Sequence, residues 1–193
     1  NAAYTVYTFF FVLSCSGLPS ALALSVAKDL GTRGEEWAYA RFTVMKRFSC
    51  LLGLVLSLLL FFLSVPFAKM LGSPRAALSL MTVSPALFFT TLASVYRGYH
   101  QGRGTMLPSA LSQMIEGAGK LIFGLLLLSL GLSMGFSKDK MAAYAILGLS
   151  FASFLCYLLL ALSTKRMRIA RLVKKERRVL LLDTVKTSMP ITL

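Results

Sequence analysis

Hydrophobic residues occur along this chain in long uninterrupted blocks rather than in the short stripes of soluble amphipathic helices. Four blocks contain no charged residue: residues 1–27, 48–68, 76–96 and 141–164. A fifth block, residues 104–137, is apolar except for Glu116 and Lys120. Each block reaches the roughly 20 residues that an α-helix needs to cross about 30 Å of hydrocarbon. A soluble domain of 193 residues could not bury five such helices, although any one of them could be a buried soluble helix.

The pattern therefore predicts an all-α integral membrane protein with about five transmembrane helices. We expect the helices at about residues 3–27, 43–70, 75–97, 106–134 and 141–164. The first block has neither a basic n-region nor an initiator methionine, so it does not resemble a signal peptide. The chain begins at membrane depth, and residues 187–193 resemble the opening of another helix. We therefore expect a piece of a longer protein, with sequence missing at both ends.

Basic residues are concentrated in alternate connections between the blocks. The connections after the first and third blocks, together with the run at residues 165–178 after the fifth, hold 15 Lys and Arg residues, and the other two connections hold four. The positive-inside rule places the basic connections in the cytoplasm, so the first helix is predicted to run from outside to inside. The last of them, residues 165–186, is predicted to be a basic cytoplasmic linker.

Two of the basic connections carry further detail. Residues 29–47 are predicted to be the longest inner loop, with mixed aromatic and basic residues that suit the headgroup zone. Residues 98–108 contain Gly98, Gly102 and Gly104, a composition typical of a compact, irregular turn.

The net charge of +14 raises the question of a nucleic-acid partner. Basic residues beside a transmembrane helix meet anionic headgroups at roughly 1 kcal/mol each. The basic run at residues 165–178 has no aromatic residues on which bases could stack. We therefore expect anionic membrane lipids as partners, and no nucleic acid.

Ionisable residues inside a transmembrane block mark candidate functional sites. Glu116 and Lys120 are four residues apart and share one helix face, and Gln113 lies three residues before Glu116. This face either lines a water-filled cavity, or it fastens the helix to its neighbours through a neutralised ion pair. Arg97, at the end of the third block, is a candidate for phosphate binding, with snorkelling to the headgroups as the alternative.

Two prolines lie inside apolar blocks. Pro19 in the first block and Pro85 in the third interrupt helical hydrogen bonding, so both are candidate conformational hinges. Prolines of this kind also occur in static helix bundles.

Enzyme chemistry has little support in the sequence. The chain holds one histidine, His100, and no paired carboxylates or nucleophile motif of the kind that hydrolases need. Cys15, Cys50 and Cys156 have no metal-ligand spacing. We therefore predict no catalytic residues, no metal and no bound cofactor.

Several stretches resemble one family of membrane proteins, in the right order along nearly the whole chain. They are GLPSAL at 17–22, SPALFF at 84–89, YRGYHQG at 96–102, PSALSQMIE at 108–116 and MPIT at 189–192. They resemble the stage V sporulation protein B and polysaccharide biosynthesis group, which belongs to the multidrug/oligosaccharidyl-lipid/polysaccharide superfamily with the lipid II flippases.

The resemblance implies a fold of two six-helix lobes around a central cavity, of which this chain would hold helices two to six and the start of the second lobe. The implied function is flipping a lipid-linked saccharide precursor across a bacterial or archaeal cytoplasmic membrane by alternating access. Lys120, with Arg41 and Arg97 at the inner mouth, would attract the substrate's phosphates. Glu116 would balance Lys120 or take part in coupling to a proton or cation gradient. Family members often carry Arg where Lys120 stands.

Two other functions remain open at the level of the sequence. A multidrug or cation antiporter of the same superfamily would favour an acidic cavity, and this chain offers one carboxylate within the apolar blocks. A non-transporting membrane scaffold would tolerate apolar replacements of Glu116 and Lys120.

Overall fold

The computed structural model describes residues 8–9, 12, 17–70, 72, 76–136, 138–164 and 179–185. Within these residues the regular structure is helical, without strands, and residues 179–185 form a short helical segment near the end of the chain. The helices are α1 (Leu18–Thr32), α2 (Glu35–Phe62), α3 (Ser64–Met70), α4 (Ala77–Gly102), α5 (Met106–Ser133) and α6 (Lys138–Ser163).

Four of these helices are long and apolar enough to cross a membrane: α2, α4, α5 and residues Lys140–Ser163 of α6. The predicted all-α membrane class is therefore confirmed, and the chain is a multi-pass membrane protein. Of the first predicted span, the described part is mainly α1, which continues to Thr32. The linker residues 165–178 and the predicted helix opening at 187–193 lie outside the described residues.

The predicted loop at residues 29–47 is wrong, because most of it is helical. Helix α1 runs to Thr32, and α2 begins at Glu35. The turn between them depends on Gly34, whose φ of +90° is disfavoured for other residues. The backbone N–H groups of Arg33 and Gly34 both donate to the Asp29 carbonyl. Both helices thus continue past the apolar blocks into sequence that contains charged residues. The apolar pattern alone therefore does not show where α1 ends and α2 begins.

The predicted second span is interrupted near its far end. Helix α2 stops at Phe62, and the short α3 follows after Leu63. Pro66 lies in the first turn of α3 and has no N–H to donate to the Phe62 carbonyl, so α2 cannot continue through it. At the same break, the Ser64 hydroxyl donates to the Phe61 carbonyl at 2.7 Å.

The predicted irregular turn at residues 98–108 is also wrong, except at residues 103–105. Helix α4 continues to Gly102, and only residues 103–105 connect it to α5. Gly98 and Gly102 serve helix packing, because a Cβ on either would lie 2.6 Å from a backbone oxygen of α1, at Pro19 or Ala23. Small residues at this spacing allow close approach of membrane helices.

Helix α4 is the central element and contacts each of the other numbered helices. One apolar cluster, built around Phe42, Tyr96 and Tyr99, packs α4 against α1, α2 and α6. A second cluster around Leu80 and Leu87 packs it against α2, α3 and α6. We call the end of the bundle with the α1–α2 and α4–α5 turns the basic end.

Helix α5 packs mainly along α6. Gly119 faces Ala152, and a Cβ on Gly148 would collide with the backbone of Gly124. Helices α5 and α6 therefore approach closely at Gly119 and Gly124, whereas Gly117 faces open space. Much of the rest of α5 exposes large apolar side chains such as Leu121 and Leu125, as a lipid-facing helix does.

Candidate functional site

A cluster of three charges lies between α4 and α5. Glu116 lies ten residues into α5, about 15 Å along the helix axis, and its side chain is 9% exposed. One carboxylate oxygen, Oε1, accepts from Lys120 Nζ at 2.9 Å. The other, Oε2, accepts from Arg97 Nη2 at 2.5 Å. The structure therefore contains the ion pair expected from the i,i+4 spacing and adds to it an arginine from the neighbouring helix.

Arg97 is held by three partners on two helices. Besides Glu116, its Nε donates to Ser112 Oγ of α5 at 2.9 Å, and Nη2 lies 3.0 Å from the Cys156 sulfur of α6. The side chain is 16% exposed and turns into the bundle rather than out to the headgroups. Arg97 therefore does not snorkel but joins α4, α5 and α6.

Lys120 is the most exposed residue of this cluster. Its side chain is 41% exposed, whereas those of Glu116 and Arg97 are largely buried. Gln113 and Lys120 are two helical turns apart and both exposed, so the polar face is split. Ser112 and Glu116 face the bundle, whereas Gln113 and Lys120 lie on its surface. Two cations face one carboxylate, so the cluster keeps one positive charge.

Arg41 does not join this cluster. It lies in α2 at the basic end, and its side chain is 4% exposed. Its Nε and Nη2 donate to both carboxylate oxygens of Asp29 in α1, at 2.6 and 3.1 Å. Its Nη1 donates to Asp183 and Thr184 of the helical segment 179–185, at 3.0 Å each. The sequence reasoning missed Asp29 and Asp183, because no local spacing connects them to Arg41.

The two candidate hinges have different surroundings. Pro19 lies in the first turn of α1, where it needs no helical N–H donor, and it packs against Gly98. Pro85 lies inside α4 and frees a carbonyl of the preceding turn. Ser84 Oγ donates to that carbonyl, on Met81, at 2.8 Å.

Serines from two other helices also bond to the backbone near Pro85. Ser57 of α2 donates to the Ser84 carbonyl at 2.7 Å, and Ser150 of α6 donates to the Thr82 carbonyl at 2.9 Å. An apolar groove of about 370 Å³ lies beside them. It is lined by Leu54, Ser57, Leu58, Phe61, Ser84, Pro85, Phe88 and Phe89.

His100 has a structural environment. Its ring nitrogens lie 3.3 Å from Thr105 Oγ1 and 3.0 Å from Thr164 Oγ1, which links the ends of α4 and α6. The neighbouring Arg103 reaches Glu35 at 3.1 Å, and its hydrogen bond to the Tyr99 hydroxyl raises the pKa of Arg103 above its ordinary value. Among the described residues, no group of three His, Cys, Asp or Glu side chains could hold a metal ion.

The chemistry of the Arg97–Glu116–Lys120 cluster suits the binding of an anion. Buried charges are stable only when paired, and here the Glu116 carboxylate pairs with both cations. A phosphate presents the same oxygen acceptors and makes strong charge-assisted hydrogen bonds with Arg and Lys.

Comparisons with known proteins identify the family. The profile of the polysaccharide biosynthesis protein family matches residues 1–193. Stage V sporulation protein B of Bacillus subtilis (strain 168) is 34% identical over 113 residues, which is 56% of this chain and 22% of that protein. The uncharacterized membrane protein YabM of the same strain is 32% identical over 114 residues, 58% of this chain and 21% of that protein.

The aligned region thus spans about a fifth of the length of either relative. No solved structure matches the chain significantly. The family profile covers every residue, including the stretches that supply Arg97, Glu116 and Lys120. This chain belongs to the polysaccharide biosynthesis protein family.

Proposed function

We propose that this chain is one lobe of a flippase that moves a lipid-linked saccharide precursor across the cytoplasmic membrane by alternating access. The observation that carries the proposal is the Arg97–Glu116–Lys120 cluster, which holds a positive charge at membrane depth with one cation exposed. A phosphate-linked sugar headgroup is too polar to cross lipid without such shelter. Membership in the polysaccharide biosynthesis family supports a substrate of this class.

In the proposed mechanism, the substrate's phosphate first meets Lys120 and then competes with Glu116 for both cations. The exposed ammonium makes the initial contact, because its side chain is 41% exposed. Glu116 holds Arg97 in place when the site is empty, so the cation is preorganised for the phosphate. Return of Glu116 to its partners then favours release of the substrate on the other side.

The orientation belongs to the same proposal. The basic end would face the cytoplasm, since basic residues are concentrated in the connections on that side. The remainder of a longer chain would supply the opposing lobe, and the cavity would lie between them. Bending of α4 at Pro85 would let the lobe open and close, and a proton or cation gradient would drive the cycle.

The test is complementation of a flippase-deficient strain by the full-length protein, with variants at Lys120. We expect Lys120→Ala to lose at least about 90% of the activity, because removal of a charge-assisted contact costs about 1.5–3 kcal/mol. Lys120→Arg should retain most of it, since the charge remains. Lys69→Ala is the matched control, because Lys69 is exposed at the opposite end of the bundle.

The rival functions predict different results. Full activity of Lys120→Ala at normal protein levels would remove Lys120 from the substrate path and sink the proposal. A scaffold would keep its function when Glu116 and Lys120 are both replaced by leucine. A cation exporter would be impaired by Glu116→Gln but not by Lys120→Ala.

A further inference from the structure

The helical segment 179–185 lies against the basic end of the bundle, far in sequence from the helices that it contacts. Leu180 and Thr184 are buried, at 3% and 0% exposure, whereas Val179 and Leu182 are each 59% exposed. The buried residues are four apart and therefore share one face of the segment. Leu181 also packs against the apolar cluster of α1, α2, α4 and α6. The segment is thus a short amphipathic helix that packs one face on the basic end of the bundle.

Arg41 connects segment 179–185 to the bundle. The Nε and Nη2 groups of Arg41 donate to the two carboxylate oxygens of Asp29, and Nη1 donates to Asp183 and Thr184. Thr184 Oγ1 in turn donates to the Leu180 carbonyl at 2.9 Å. A single buried side chain therefore joins α1, α2 and the segment 179–185.

The two carboxylates that share Arg41 are not equivalent. The Asp29 side chain is 3% exposed and binds through two parallel hydrogen bonds, whereas the Asp183 side chain is 57% exposed and binds through one oxygen. Ion pairs with an exposed partner are weak and screened by salt, whereas buried pairs are screened much less. The Asp183 contact is therefore the one that can open while the Arg41–Asp29 pair stays closed.

We propose that Arg41 and Asp183 form a latch that fixes segment 179–185 to this lobe, so that this last part of the predicted linker, next to the second lobe, moves with the first lobe. This inference rests on the proposed two-lobe function for its consequence, but not for the latch itself. Arg41 is then a positioning residue rather than a phosphate-binding one. Any pivot between the lobes lies outside the latched segment.

The test is hydrogen exchange of backbone amides in the full-length protein in detergent or nanodiscs. Asp183→Asn should raise exchange within residues 179–185 about fivefold, which corresponds to the loss of the Arg41–Asp183 ion pair. Exchange in α2 and α4 should not change. Glu36→Gln is the matched control, because Glu36 is an exposed carboxylate at the same end of the bundle, in the first turn of α2.

Salt provides a second measurement. Raising the salt concentration from about 0.05 M to 0.5 M should speed exchange of the segment in the wild-type protein but not in Asp183→Asn. Unchanged exchange in Asp183→Asn, or an equal salt response in both proteins, would overturn the latch. This readout needs no transport, so the latch can fail while the Lys120 results stand, and the reverse also holds.

Discussion

Two largely buried arginines, Arg41 and Arg97, each anchor a charged cluster in the described part of this protein, and their surroundings differ in one respect. Arg97 shares one carboxylate, Glu116, with a second cation, Lys120. Arg41 faces two carboxylates, Asp29 and Asp183. In the first cluster two cations share one carboxylate and one of them is an exposed ammonium, whereas in the second cluster two carboxylates share the guanidinium of Arg41.

This difference separates a candidate binding site from a structural joint. We expect a buried arginine that is shared by two carboxylates to attract an anionic ligand less strongly, because its charge is already balanced. A cluster in which the cations are in excess still attracts one. Both guanidinium groups turn into the bundle, although Arg41 is the more buried, and the number of carboxylates around each distinguishes the two clusters.

The largest effect that separates the clusters is expected for Arg41→Met. This change leaves Asp29 buried without its partner, which costs about 3–5 kcal/mol of the free energy of unfolding. The full-length protein should show a clearly lowered thermal unfolding temperature in detergent and release segment 179–185. An unchanged unfolding temperature would show that Arg41 is not the joint between these elements.

A smaller loss is expected for Arg97→Met. Glu116 then keeps the ammonium of Lys120 at 2.9 Å, so the carboxylate is not left alone. We expect a cost of about 2–3 kcal/mol, mainly from the lost charge-assisted hydrogen bonds. The same thermal unfolding measurement checks it, with Arg41→Met beside it. The comparison breaks if Arg97→Met proves the more destabilising of the two.

The sequence predicted what depends on local pattern. The apolar blocks gave the membrane class and the approximate positions of the spans, because crossing a bilayer requires length and hydrophobicity alone. The Glu116–Lys120 pair was predicted because the helical repeat determines which residues meet at a separation of four.

The contacts that define the two clusters depend on tertiary packing. Arg97 meets Glu116 across 19 residues, and Arg41 meets Asp183 across 142, so no periodicity connects them. The spacing of Gly98 and Gly102 was a usable signal for helix packing, yet beside His100 and Gln101 it resembled a turn. A single glycine, Gly34, was too weak a signal to predict that only residues 33 and 34 separate α1 from α2.

The smallest effects are expected for removal of one hydroxyl group from each cluster. The two hydroxyls make the same kinds of hydrogen bond. Ser112 accepts from Arg97 and donates to the Ser109 carbonyl, whereas Thr184 accepts from Arg41 and donates to the Leu180 carbonyl. Ser112→Ala and Thr184→Val should each cost about 1–2 kcal/mol, toward the lower end of the range for removing one partner of a buried hydrogen bond.

The two substitutions should destabilise different parts of the protein. Ser112 joins two long helices, so Ser112→Ala should lower the temperature of global unfolding. Thr184 belongs to a seven-residue segment at the edge of the bundle, so Thr184→Val should raise hydrogen exchange in residues 179–185 and leave global unfolding nearly unchanged. An equal loss of global stability in both variants would mean that segment 179–185 is an integral part of the bundle and unfolds only with it.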